Sequence, residues 1–145
     1  MTAPFAYKRG PYTDGRGRRA TTRDDPEHKL QCAVAEYLTY SLPPDILWTA
    51  TLNGAHLGVS QRVKMKAAGL RPGIADIVLA GRSGRVAMIE LKVEKRPLSG
   101  EQKAWATALG RFWATCRSLE DVEAALVQFG ITPRCSIEKA NRYAT

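Results

Sequence analysis

The sequence has few of the residues that hold small proteins together through covalent links or metal ions. Its three cysteines and two histidines are widely scattered, and none falls at the spacing of a zinc-binding motif. An odd number of separated cysteines also gives no disulfide framework. We therefore predict reduced thiols, with Cys32 and Cys116 in or near the core, and no structural zinc.

Long apolar segments are absent as well. No run approaches the roughly 20 apolar residues that span a bilayer, and the N-terminus lacks the apolar core of a secretory signal. The 145 residues, 44% of them hydrophobic and 25% charged, are ordinary for one globular domain with a real core. We expect a cytoplasmic protein with no membrane partner.

Acidic residues are scarce relative to basic ones. The chain has 22 lysines and arginines against 14 aspartates and glutamates, a net charge of +8 and a pI near 9.7. Such a balance favours a polyanionic partner, nucleic acid first and an anionic membrane surface second. Residues 1–25 combine basic side chains with Pro and Gly and show no hydrophobic period, so we predict a flexible basic arm. This arm either follows a phosphate backbone or keeps the chain soluble.

Hydrophobic periodicity and turn residues predict an α/β fold after this arm. Asp25 and Pro26 are typical of a helix start, and an interior strand is expected where residues 46–52 are apolar on both faces. The predicted elements are a helix over 26–40, that strand, a short helix over 61–68 capped by Ser60, a hairpin of strands 74–80 and 86–91, a helix over 100–109, a strand over 111–116 and a helix from Ser118 to Phe129. This order predicts a four-stranded mixed sheet flanked by helices, within a domain over 26–130 followed by a frayed basic tail over 131–145.

The hairpin carries the charged residues that are hardest to explain by folding alone. Asp76 lies near the start of its first strand, and Glu90 and Lys92 lie near the end of its second. An antiparallel hairpin brings these ends together, and residues two apart project from one face of a strand. Carboxylates among β-forming residues are costly unless compensated, and hard oxygen ligands suit Mg²⁺ or Mn²⁺. The other interpretation is a solvated strand face that carries a Glu and a Lys.

Two further polar residues are predicted to point toward this centre. Glu27 precedes Leu30 by three positions and so heads the core-facing stripe of the first helix, as a ligand or as a partner of the helix dipole. Gln102 stands three residues after Ser99, which fits a capping box. The alternative interpretation is functional and places its amide beside a metal site.

Candidate nucleic-acid contacts precede Asp76 in the chain. Asn53 and His56 follow a strand end, where binding groups often collect, although a turn Asn and a surface His explain them too. The basic residues before Asp76 either contact phosphates or form a solvated surface. They are Arg62, Lys64, Lys66 and Arg71.

Taken in order, these motifs resemble the restriction-endonuclease-like, PD-(D/E)xK nuclease core, and within it the VRR-NUC domain. The resemblance covers about residues 25–129, and one departure is Ala75, where the family usually has a proline. The residues that carry it are Glu27 with Leu30 and Gln31, Asn53-Gly54, Gly69 to Asp76, Ile89-Glu90-Leu91-Lys92, and Leu98-Ser99 with Gln102.

The resemblance implies a metal-dependent DNA endonuclease. Asp76, Glu90 and the Leu91 carbonyl would hold Mg²⁺ or Mn²⁺, and Glu27 would join through water or a second metal. Lys92 would orient or deprotonate the attacking water, and Gln102 would steady the site.

Small free-standing members of this group resemble Holliday-junction resolvases. We therefore expect a homodimer acting on branched DNA in repair or recombination, in a bacterial or phage-infected cell. The alternatives are a non-selective nicking nuclease, an exonuclease, and a non-catalytic nucleic-acid-binding or packaging protein.

Overall fold

The computed structural model describes residues 25–51 and 58–143, and the helix–strand order in them is the predicted one with a fifth helix added. The predicted arm, Asn53 and His56 lie outside the described residues, apart from Asp25 at the end of the arm. The elements are α1 (Pro26–Ser41), β1 (Ile46–Ala50), α2 (Val59–Ala67), β2 (Ile77–Gly81), β3 (Val86–Leu91), α3 (Gly100–Leu109), a 3-10 turn (Gly110–Phe112), β4 (Trp113–Cys116), α4 (Leu119–Gln128) and α5 (Ile137–Tyr143).

The four strands form one mixed sheet in the order β1-β2-β3-β4, as predicted. The first two pairings are antiparallel, and β3 runs parallel to β4 because α3 carries the chain back across the sheet. In the β2–β3 hairpin, Ile77 stands opposite Ile89 and Ala80 opposite Val86. Gly84 closes the turn with a φ of 75° that favours glycine.

Helices cover both faces of the sheet. On one face, α1, α4 and α5 bury a core that includes Val34, Leu38, Ile89 and Leu126. On the other face α3 packs over a smaller cluster of Ala75, Met88 and Trp113. Because neighbouring residues of a strand face opposite sides, Glu90 lies on the α3 side together with Met88.

The helix ends follow the predicted chemistry. The Asp25 carboxylate accepts from the backbone N–H of Glu27 at 3.1 Å, and Pro26 occupies the first helical position. Ser118 caps α4 by accepting from the N–H of Asp121 at 3.2 Å, and Gly130 follows that helix with a φ of 78°.

Three details of the sequence analysis were wrong. Among the described strands, β1 lies at the edge of the sheet and pairs with β2 alone, and Leu47 is 73% exposed. The prediction of an interior strand failed because an apolar run cannot reveal whether a strand has one neighbour or two. Helix α2 begins at Val59 with Gly58 as its cap, so Ser60 is inside the helix. Strand β4 begins only at Trp113, because the preceding residues form the 3-10 turn.

The prediction of a frayed tail over 131–145 was also wrong, because part of this segment is helical. Helix α5 forms there and packs against α1 and α4, with Ala140 buried. The domain boundaries themselves stay predictions.

Cys116 is buried as expected, but Cys32 is exposed because it lies off the stripe that α1 buries. Within the described residues, no helix is long and apolar enough to cross a membrane.

Candidate active site

The β2–β3 hairpin brings Asp76 to the end of β3. Asp76 immediately precedes β2, whose first residue pairs with Ile89. Its Oδ2 atom accepts a hydrogen bond from the Leu91 backbone N–H at 2.8 Å. This contact orients the carboxylate across the open end of the hairpin.

Glu90 is the buried carboxylate of the site, with only 3% of its surface exposed. Its Oε1 atom accepts from Gln102 Nε2 at 2.6 Å and from Lys92 Nζ at 2.9 Å. Lys92 lies on the same side of the strand because it follows Glu90 by two residues, and its backbone N–H donates to the Cys116 carbonyl at 3.0 Å. The ammonium and the amide therefore hold one oxygen of Glu90 in place.

Gln102 makes both of the contacts that the sequence offered as alternatives. Its Oε1 accepts from the Ser99 N–H at 2.9 Å, and its own N–H donates to Ser99 Oγ at 3.2 Å, which completes the capping box of α3. The amide nitrogen remains available for Glu90. The capping contacts with Ser99 thus hold the Gln102 side chain in place, and Gln102 in turn holds the Glu90 carboxylate.

Burial raises the pKa of both carboxyl groups. For Glu90 the main cause is desolvation, and the nearby Asp76 charge adds to it, whereas Lys92 and Gln102 oppose it. For Asp76, desolvation again raises the pKa most, and the hydrogen bond from Leu91 lowers it. The negative charge of Glu27 also raises the Asp76 pKa, and Lys92 lowers it.

The donor set fits a hard divalent cation. Glu90 Oε2 is buried and has no hydrogen-bond partner among the described residues, which is costly for a carboxylate oxygen unless something else binds it. Within residues 25–51 and 58–143, no three His, Cys, Asp or Glu side chains lie close enough together to hold a metal. Two carboxylates do lie near each other there, because the Asp76 charge acts on Glu90. Mg²⁺ is commonly bound by one or two carboxylates, with waters and substrate phosphates as its other ligands.

Glu27 is exposed in the first turn of α1 and does not share the burial of the stripe it was expected to head. The stripe begins to be covered only at Leu30, which packs against the core. Glu27 still lies near enough to influence the pKa of Asp76. Its role as a ligand stays a prediction.

The predicted nucleic-acid residues lie on an exposed segment. Helix α2 has no buried residue, and its basic side chains Arg62, Lys64 and Lys66 are all exposed, as is Arg71 in the following turn. Their contact with nucleic acid stays a prediction.

Two further residues support the site, and of these Thr51 was not singled out in the sequence. Thr51 donates its hydroxyl to the Ala75 carbonyl at 2.7 Å and its N–H to the Asp76 carbonyl at 2.8 Å, so it holds the approach to β2. Gly73 has a φ of 86°, and a Cβ there would lie 2.5 Å from Glu101 Cβ and 2.9 Å from the Gln102 nitrogen. The Pro-Gly pair was a usable signal for Gly73, whereas nothing in the sequence pointed to Thr51.

The sheet is four-stranded and mixed, with helices on both faces, and its central hairpin carries acidic side chains and a lysine at one end. These features define a restriction-endonuclease-like protein. The family model of the VRR-NUC domain matches residues 21–126, and the chain belongs to this family. Family membership supports nuclease activity, that is, hydrolysis of nucleic acid. No curated protein and no solved structure gave a significant match.

Proposed function

We propose that the protein is a divalent-metal-dependent DNA endonuclease that hydrolyses phosphodiester bonds at the Asp76–Glu90 pair. The observation that carries this proposal is the buried Glu90 Oε2, which lies beside a second carboxylate and has no hydrogen-bond partner in the part of the chain that the structure describes. Such an oxygen is stabilised by a cation, and Mg²⁺ or Mn²⁺ matches the all-oxygen character of the pair. The Leu91 carbonyl and Glu27 are the further proposed ligands, Glu27 through water or a second metal.

The roles of the residues follow from their contacts. A bound divalent cation would supply positive charge to the phosphoryl oxygens and lower the pKa of a bound water. Asp76 is oriented for binding by the Leu91 N–H, and Glu90 by Gln102 and Lys92. Lys92 remains 19% exposed through its side chain, so its ammonium can also donate to the attacking water or to a phosphate oxygen. We assign to Lys92 the positioning of that water.

The primary test is the cleavage of supercoiled plasmid with Mg²⁺, with Mn²⁺ or with EDTA. We expect nicked and linear products only with metal, and their loss in Asp76→Ala and Lys92→Ala. Metal binding is measured separately as an increase in the melting temperature, which the Asp76→Ala variant should lose. Cleavage in EDTA, or variants as active as the wild type, would contradict the proposal.

We further propose that the enzyme selects branched DNA and acts as a homodimer in repair or recombination, within the cytoplasm of a bacterial or phage-infected cell. The net charge of +8 supports binding to the dense phosphates of a junction, and two symmetric cuts require two centres. The test compares a four-way junction with linear duplex of equal length, while sedimentation gives the oligomeric state. Equal cleavage of both substrates would favour a non-selective nicking nuclease, and mononucleotide products would identify an exonuclease.

A non-catalytic DNA-binding or packaging protein is the rival from another class. It is favoured by the contacts of Glu90 with Lys92 and Gln102, which would also hold a carboxylate whose role is purely structural. This rival predicts that DNA is bound but not cut with either metal, and that Asp76→Ala leaves binding unchanged.

A further inference from the structure

A second positively charged surface lies at the turn end of the same hairpin. We define the turn-end surface as Arg82 and Arg85 of the β2–β3 turn together with Arg111 before β4. All three arginines are exposed. They lie away from Asp76 and Glu90, which occupy the other end of β2 and β3.

The two guanidinium groups of Arg85 and Arg111 converge on one point. Arg85 Nη1 lies 3.9 Å, and Arg111 Nη2 lies 4.0 Å, from the position that a Cβ would take at Gly130. Among the described residues neither guanidinium has a carboxylate partner, and Arg111 lies over the Phe112 ring with its Cζ 5.1 Å from the ring centroid. Like charges held close together repel each other, and an anion between them removes the repulsion.

A cavity of about 250 Å³ opens beside these groups. Arg82, Ser83 and Arg85 contribute its polar donors, and Asp45 is its carboxylate. The apolar lining comes from Leu79, Ala87, Phe112, Phe129 and Ile131. With Arg111 at the rim, positive charge exceeds negative charge here, and guanidinium groups match the geometry of phosphate oxygens.

The turn-end surface cannot contact the bond that is being cut. Arg85 precedes Glu90 by five residues, which is about 17 Å along an extended strand. The cavity is also on the sheet face of Leu79 and Ala87, whereas Glu90 lies on the α3 face. A phosphate held by Arg85 and Arg111 therefore belongs to a DNA segment away from the catalytic centre.

We propose that the turn-end surface binds a backbone phosphate of the DNA, with Arg85 and Arg111 holding it between them. This inference rests on the proposed function, because it takes DNA as the partner. It adds an anchor that the catalytic residues do not supply, on the side of the hairpin opposite to them.

The test is the salt dependence of binding to a four-way junction, measured without metal so that no cleavage occurs. Each phosphate contact contributes about 0.9 to the slope of log K against log salt. In Arg85→Ala/Arg111→Ala the slope should therefore fall by about 1, the contribution of one shared phosphate, whereas a fall of about 2 would mean that the two arginines bind separate phosphates and would contradict the sharing. A matched control, Arg134→Ala/Lys139→Ala, removes two exposed cations that do not line the cavity and should change the slope less.

A second variant separates charge from geometry and guards against misfolding. Arg85→Lys/Arg111→Lys keeps the charge but loses the planar fork, so the slope should stay near the wild-type value while affinity falls several-fold. Melting temperatures of all variants report whether the fold is kept.

Two results would overturn the inference. One is an unchanged slope in the alanine variant, and the other is an equal fall of the slope in the control. If the slope is unchanged but inorganic phosphate raises the melting temperature of the wild type and not of the alanine variant, the surface is a site for small anions only. Loss of all DNA binding by the wild type would instead overturn the proposed function as well.

Discussion

The two ends of the β2–β3 hairpin carry opposite charges and are organised differently. At the open end, Glu90 is buried, and each of its neighbours Gln102 and Lys92 approaches it within 2.9 Å. At the turn end, Arg82 and Arg85 are exposed and line an open cavity. A buried charge must be compensated inside the protein, whereas an exposed one is stabilised by water until a partner arrives. Substitutions at the open end should therefore have larger effects on cleavage and metal binding than substitutions at the turn end have on DNA binding.

The largest effect is expected from Glu90→Gln, which keeps the volume but removes the charge of the buried carboxylate. Cleavage should fall by more than about 100-fold, the upper range for losing a group that only supports a metal ligand. The thermal stabilisation by Mg²⁺ or Mn²⁺ should disappear as well. The measurement pairs plasmid cleavage with melting curves at increasing metal concentration. If cleavage persists at the wild-type rate, Glu90 holds no metal.

Gln102→Ala should have the next largest effect, because it removes both the capping contact and the hydrogen bond to Glu90. We expect a loss of about 10- to 100-fold in metal affinity or activity, together with about 1 kcal/mol of stability. The matched control is Ser99→Ala, which removes the cap oxygen but leaves the Gln102 amide in reach of Glu90. That control should lose similar stability and little metal affinity. Equal losses of metal affinity in both variants would show that metal binding depends on the capped end of α3 and not on the hydrogen bond from Gln102 to Glu90.

Gly73→Ala tests the close approach of the Asp76 loop to α3. The added methyl would meet Glu101 and the Gln102 backbone. We expect this clash to lower the free energy of unfolding by about 1–3 kcal/mol, in addition to the cost of the positive φ. Gly69→Ala is the matched control, because Gly69 also has a positive φ, of 103°, but open space around it. Denaturant unfolding of both variants measures the difference. Equal destabilisation would leave backbone strain as the only cause.

The smallest effect concerns the pH dependence of the metal-free protein. Because the native pKa of Asp76 is raised, the folded state binds its proton more tightly than the unfolded state does. The stability that this group contributes is fully present below its unfolded pKa and is lost as pH rises through the raised native pKa. Asp76→Asn cannot titrate, so its stability relative to wild type should increase over that range. Unfolding curves at several pH values check this, and a constant difference would contradict the direction of the shift.

Local patterns were sufficient for much of the fold. Caps at Asp25, Ser99 and Ser118 marked helix starts correctly, because a cap acts within one turn of its own helix. The hairpin was also predictable, since its turn residues and alternating apolar runs are contiguous in the chain. The placement of β1 at the sheet edge and the packing of α5 were missed, because both depend on which distant elements are neighbours.

The sequence by itself determined that a carboxylate pair and a lysine meet at one end of a hairpin, because strand alternation and antiparallel pairing place them there. Only the tertiary structure decided that Gln102 serves Glu90 and the helix cap together, and that one oxygen of Glu90 is buried with no hydrogen-bond partner from residues 25–51 and 58–143. It also decided that Arg85 and Arg111, far apart in the chain, converge on Gly130. The physical reason is that burial and proximity depend on how the helices pack on the sheet, which no short stretch of sequence encodes.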